Sequence, residues 1–209
     1  MLEILMFISL VVIFVVVVRK VPSLDDVIYE LKKSRKSKNG EINLFEEETL
    51  ESLTEKANGA FNEKNYQLAE KYFIALIARE TKNADAYNKL GVIYLELGHL
   101  PDANESFTHV VGLDEKNSFA WNNLGLVFYR QRRYKAAIEA YKQAIGLDQT
   151  VASRWINLGL AYESIRNYQD AESAFKKAVI LEPSNEDYKK AVNELKNKME
   201  KRRWLINRN

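Results

Sequence analysis

The chain has 209 residues, with 31 Lys and Arg against 29 Asp and Glu, a formal net charge of +2. That near-balance supplies no global field for nucleic acid. The absence of Cys excludes disulfides, thiolate metal sites and a cysteine nucleophile, and only 3 Pro and 8 Gly leave long stretches free to be helical.

Residues 2–18 are almost wholly apolar and carry one charge, Glu3. As a helix this run spans roughly 26 Å, close to the ~30 Å of a hydrocarbon core. Such a segment satisfies its own backbone in a bilayer only as a helix, so residues 1–20 are expected to form one transmembrane anchor. A cleaved leader needs basic residues before the apolar run and a small-residue cleavage site after it. Here Arg19 and Lys20 follow the run and Val21-Pro22-Ser23 come next. Bases after the span keep that side in the cytoplasm. The expectation is a single-pass protein of the bacterial inner (plasma) membrane with its C-terminal domain inside.

Residues 21–49 read as a basic juxtamembrane linker. Ser23, Asp25 and Asp26 form a helix start, and Leu24, Val27, Ile28 and Leu31 fall at helical spacing over a short helix. Lys32, Lys33, Arg35, Lys36 and Lys38 follow, in a stretch that ends in Asn39-Gly40. Near a membrane these bases attract anionic lipid at ~1 kcal/mol each. As a solvated linker they only set topology.

From residue 50 the chain repeats itself with a period of 34. Ala69, Ala103, Ala137 and Ala171 mark the step, each followed four residues later by Phe73, Phe107, Tyr141 or Phe175. Leu90-Gly91, Leu124-Gly125 and Leu158-Gly159 keep the same step, as do Tyr87, Trp121 and Trp155. Four units follow: 50–83, 84–117, 118–151 and 152–185. The first is the least regular, with Lys56-Ala57 in place of Leu-Gly, as befits a unit with no preceding neighbour. Leu97-Gly98-His99 and Arg166-Asn167-Tyr168 sit at turns within their units, where Gly98 and Asn167 suit a helix end. Pro101 falls in a first helical turn, where its missing N–H is harmless.

The pattern resembles the tetratricopeptide-repeat (TPR) family. The fourth unit carries all of it: Trp155, Leu158, Gly159, Tyr162, Ala171, Phe175, Ala178 and Pro183. The resemblance implies an all-α, right-handed superhelix (α-solenoid) of four helix-turn-helix repeats. Small residues at the eighth and twentieth positions let paired helices approach, and aromatics fill the space beside them. Residues 186–209 are then a capping helix, with Tyr188, Val192, Leu195 and Met199 as one apolar stripe. Its basic tail, Lys201 to Asn209, holds Trp204, either touching membrane or a partner or forming a frayed helix end.

Nothing points to chemistry. His99 and His109 lie too far apart for a helical ligand pair. No phosphate loop, nucleophile elbow or zinc-protease motif occurs, so no enzyme, cofactor or metal is expected. The resemblance instead implies a concave groove lined by the first helix of each unit. Here the groove takes Asn88, Val92 and Leu95 from the second unit. The third gives Phe119, Asn122, Leu126, Tyr129 and Arg130, and the fourth Ile156 and Leu160. One subclass of the family grips the C-terminal carboxylate of chaperones. In either register this chain keeps one Asn of that five-residue clamp, Asn123 or Asn58, which argues against it. An apolar groove suits an amphipathic helix or an extended apolar peptide. The expected role is a membrane-anchored scaffold or adaptor for a protein or peptide partner. The alternative is a structural assembly factor that acts through homo-oligomerisation or its convex face.

Overall fold

The computed structural model describes residues 48–208. The anchor at 2–18 and the basic cluster Lys32, Lys33, Arg35, Lys36 and Lys38 lie outside them. Among the described residues there are nine helices and no strand. They are α1 (Leu50–Asn62), α2 (Tyr66–Arg79), α3 (Ala84–Leu97), α4 (Leu100–Leu113), α5 (Ser118–Arg130), α6 (Tyr134–Leu147), α7 (Ala152–Ser164), α8 (Tyr168–Leu181) and α9 (Glu186–Asn207). Each packs chiefly on the helices before and after it, and α5 also touches α3 and α7. That nearest-neighbour pattern is a solenoid, in which every unit borrows its core from the next.

Five of the nine described helices start at an Asn. Asn83 Oδ1 accepts from the Ala86 N–H at 2.9 Å and Asn117 Oδ1 from the Ala120 N–H at 3.0 Å. Each satisfies one of the donors a helix start leaves open. Asn65, Asn167 and Asn185 cap α2, α8 and α9 in the same way. At α7 the residue in this register is Val151, and no side chain caps the helix. Trp121 and Trp155 tie the preceding loops down. Their indole N–H groups donate to the carbonyls of Glu115 at 2.9 Å and Gln149 at 3.0 Å.

The turn inside each unit is made by one left-handed residue. Lys64, Gly98, Arg132 and Arg166 take φ of 58°, 78°, 60° and 61°, and they are spaced by 34. Gly98 behaves as the sequence indicates. Asn167 does not: the left-handed role falls to Arg166, and Asn167 stands one residue later, where its side chain caps α8. The turn has one position for reversing the chain and another for starting the next helix, and Asn suits both.

Within the second, third and fourth units the paired helices meet at a residue without a side chain. A Cβ built on Gly91 would lie 2.7 Å from Phe107, on Gly125 2.5 Å from Tyr141, and on Gly159 2.3 Å from Phe175. Phe107, Tyr141 and Phe175 are all buried. The glycines set how near the paired helices come, and the rings fill the gap. At the end of the array, Val192 and Leu195 of α9 close over Phe175 and Ala171. Asn193 of α9 stands where Gly159 stands in α7, and it is exposed. Among the described residues no later helix packs on α9, and a side chain is accommodated there.

Candidate functional site

The first helices, α3, α5 and α7, carry the residues assigned to the groove. The structure sorts those residues into three kinds.

Phe119 and Leu160 are exposed, at 65% and 36%. Phe119 stands out because a large ring in water is ordinarily turned inward. It is held from below: the Arg154 guanidinium lies 5.2 Å from its ring centre, a cation–π contact. Arg154 is itself only 2% exposed. Its Nη1 donates to the carbonyl and to Oδ2 of Asp148, both at 2.9 Å, and its Nη2 donates to Ser118 Oγ at 2.9 Å. The Asp148 carboxyl is pulled below its ordinary value by bonds from the Thr150 hydroxyl and N–H, and further by Arg154. Arg154 therefore joins α5, α7 and the loop between α6 and α7 at the point where Val151 fails to cap. It occupies the slot that Ala86 and Ala120 fill in the two preceding units, and that break in register was its only trace in the sequence.

A second group is polar. Asn157 Nδ2 donates to Asn122 Oδ1 at 3.2 Å, so these two first helices are bridged. Asn88 Oδ1 is buried without a hydrogen-bond partner. Ser164 Oγ donates to the Leu160 carbonyl at 2.8 Å and lies 3.4 Å from the Tyr129 hydroxyl, from which it can accept, and the Tyr129 ring meets Tyr134 edge-on at 5.5 Å. Arg130 is exposed yet anchored, with Nη1 donating to the Leu95 carbonyl at 2.6 Å. Lys89, which sequence reasoning passed over as a groove residue, donates to Asn58 Oδ1 at 2.7 Å. Its charge is met by Asp85 at 2.9 Å, so it is not free to grip a carboxylate.

The third group is partly or wholly withdrawn. Val92 and Leu126 are half-buried against the main core, and Ile156 packs beside the C-terminal cluster. Leu95 is 3% exposed and belongs to the core rather than to the groove wall. What it offers the surface is its carbonyl, which Arg130 already holds. Leu95 packs into the main core cluster, with Ile93 and Tyr94 of the same helix and Phe107 and Val110 of α4.

Among the described residues no group of three or more His, Asp or Glu side chains is placed to hold a metal ion. What the first helices offer a ligand is a large exposed ring, smaller apolar side chains and amides in register.

Two tetratricopeptide-repeat models match the chain, one over 118–151 and 152–185 and the other over 54–118. No curated protein matches it. Among solved structures it is similar to a crystal structure of MamA, with a TM-score of 0.66, 23% identity, and coverage of 70% of this chain and 80% of that one. It is similar also to MamA of Desulfovibrio magneticus RS-1 from residue 41 onward, with a TM-score of 0.69, 19% identity, and coverage of 72% and 85%. A third is the first TPR of Spaghetti bound to the HSP90 peptide SRMEEVD, with a TM-score of 0.54, 17% identity, and coverage of 56% and 92%. At these identities the likeness is one of fold. The repeat models cover residues 54–185 without a break, and the chain belongs to the tetratricopeptide-repeat family.

Proposed function

We propose that the array is a protein–protein interaction scaffold. It takes an amphipathic helix or an extended apolar peptide of its partner along α3, α5 and α7. The observation that carries this reading is Phe119, a large exposed ring stacked on a buried Arg154 that is itself bonded to Asp148 and Ser118. An exposed aromatic anchor, on first helices that also carry Leu126, Tyr129 and Leu160, has the composition of a binding hot spot. Asn88, Asn122 and Arg130 supply the hydrogen-bonding rim. The peptide-bound Spaghetti structure supports the use of this fold for peptides. The pairing of Lys89 with Asp85 speaks against a carboxylate grip of the chaperone kind.

The scaffold is attached, in this reading, to the bacterial inner membrane by residues 2–18, with the bases at 32–38 against anionic lipid. Support for that part is the sequence alone. Among the described residues no helix is long and apolar enough to cross a membrane.

A second reading, assembly through the convex side, has one observation in its favour. Leu113, Leu147 and Leu181 are exposed at 37%, 41% and 39%, spaced by 34 on the second helices. Light scattering on the full chain in detergent separates the two, since only the second reading requires a homo-oligomer.

The first reading is tested by affinity capture from the native membrane with the full chain and with a Phe119→Ser, Leu160→Ser variant. Both residues are exposed, so the fold is kept. Loss of a hot-spot ring costs about 2 kcal/mol, roughly 30-fold in affinity. A partner captured equally by both forms removes the groove from consideration.

A further inference from the structure

The end of the array farthest along the chain carries a second kind of surface. Where the turn between α7 and α8 meets α9 there is a cavity of about 370 Å³, lined by Arg166, Arg202, Arg203, Tyr168 and Met199 among others. Arg202 stacks over the Tyr168 ring at 5.5 Å. None of these three arginines forms a salt bridge among the described residues. The ion pair nearest in the fold, Lys198 with Glu163 at 2.6 Å, is made by another base. Elsewhere in the array Arg130 and Arg154 are bonded to carbonyls or carboxylates.

The helix that forms one wall is itself strongly basic. Over 196–208 it carries Lys196, Lys198, Lys201, Arg202, Arg203 and Arg208 against a single acid, Glu200. Beside these bases stand Trp204 and Leu205, exposed at 55% and 50%. Trp204 is nine residues beyond Leu195, which is 1% exposed. At 3.6 residues per turn that puts the two on opposite sides of α9. Trp204 is therefore not a core residue at the end of the stripe. Lys201, Trp204, Leu205 and Arg208 share the outward face at i, i+3, i+4 and i+7.

We propose that this C-terminal end docks on an anionic phospholipid surface. Headgroup phosphates enter the cavity between Arg166, Arg202 and Arg203, and Trp204 and Leu205 sink to the level of the headgroups. Charge complementarity selects an anionic occupant, and the outward ring selects its form. Indole is at home in the membrane interface, and clustered bases on an amphipathic helix draw it to acidic lipid. A soluble acidic peptide in the cavity would leave Trp204 and Leu205 in water. The proposal does not depend on the groove, nor on residues 2–18.

The test uses the full chain, whose three tryptophans are Trp121, Trp155 and Trp204. Residues 2–18 contain none, so an inserted anchor leaves the signal clean. The chain is added to vesicles of phosphatidylcholine with brominated acyl chains, with or without phosphatidylglycerol, and tryptophan quenching is read. Quenching is expected only with phosphatidylglycerol, is lost in Trp204→Phe, and is reversed by 0.5 M salt as screening requires (about 4 Å Debye length). Each base removed weakens partition about five-fold. Arg202→Gln with Arg203→Gln, and separately Lys201→Gln with Arg208→Gln, each lower it roughly 25-fold. The second pair is exposed and leaves the Tyr168 stack in place. Equal quenching in neutral vesicles overturns the proposal, as does quenching that survives in Trp204→Phe. So does a Trp204 response to inorganic phosphate or to an acidic peptide without a response to vesicles.

Discussion

Tyr141 packs against the bare Cα of Gly125 so closely that a Cβ at residue 125 would lie 2.5 Å from Cδ1 and Cε1 of the ring. The ring is 1% exposed and has no free end to swing away. Gly125→Ala gains about 1 kcal/mol of helix propensity but must separate α5 from α6, and overpacking of this kind costs about 1–3 kcal/mol. The expected net effect is a loss of about 1–2 kcal/mol in urea unfolding. Gly146 is the contrast. It is also helical, but a Cβ there meets nothing within 4 Å. Gly146→Ala is expected to stabilise by about 0.5–1 kcal/mol. The same chemical change thus carries opposite signs twenty-one residues apart.

The left-handed turn position gives a second prediction. Arg132 holds φ at 60°, a conformation that costs a side-chain-bearing residue about 1–2 kcal/mol. Glycine already occupies the equivalent place at Gly98. Arg132→Gly removes that cost and adds some backbone entropy to the unfolded chain, so a gain of up to about 1 kcal/mol is expected. Gly98→Ala is expected to lose a similar amount. Thermal unfolding of the two variants reads both, and a destabilised Arg132→Gly contradicts the assignment.

Arg154 gives the third. Removing a buried guanidinium leaves Asp148, Ser118 and the ring of Phe119 without their partner. Because Asp148 is 36% exposed, its share is discounted for screening. Arg154→Ala is expected to cost about 2–3 kcal/mol, mostly through lost packing and the lost bond to the Asp148 carbonyl. The pH dependence follows from the depressed Asp148 carboxyl. A group whose folded pKa lies below its unfolded value adds stability above the unfolded value, 3.8, and loses it as pH falls through the folded one. Urea unfolding at pH 6 is therefore expected to show Asp148→Asn less stable than the parent. The gap narrows as pH falls below about 3.8. A gap that persists to pH 2 assigns the effect to something other than the charge.

The repeat was legible because its physics is periodic. A small residue opposite a ring, every 34 residues, is a packing requirement that shows in composition at fixed steps. Gly91 with Phe107 and Gly159 with Phe175 are the same contact made twice. The turn residues were less legible. Only Gly98 of the four left-handed positions is the residue type that advertises the conformation, while Lys64, Arg132 and Arg166 are held there by the helices on either side. The groove was read by position number, and position alone does not separate a wall from a seam. Leu95 and Tyr129 stand at the same step in successive units, yet Leu95 is buried and Tyr129 is half-exposed. The neighbours that differ between those units decide it. Arg154 escaped notice because a buried arginine in an alanine slot makes sense only once Asp148 and Ser118 are seen beside it.

The central claim is that the partner lies along the first helices. A photo-crosslinking amino acid placed at residue 119 on α5, and in a separate protein at residue 180 on α8, tests it most directly. Ile180 is 69% exposed and Phe119 65%, so neither replacement disturbs the core. After irradiation in the native membrane, residue 119 is expected to capture a distinct protein and residue 180 is not. Capture from residue 180 alone, whether of another protein or of a second copy of this chain, would contradict the account and favour the convex face.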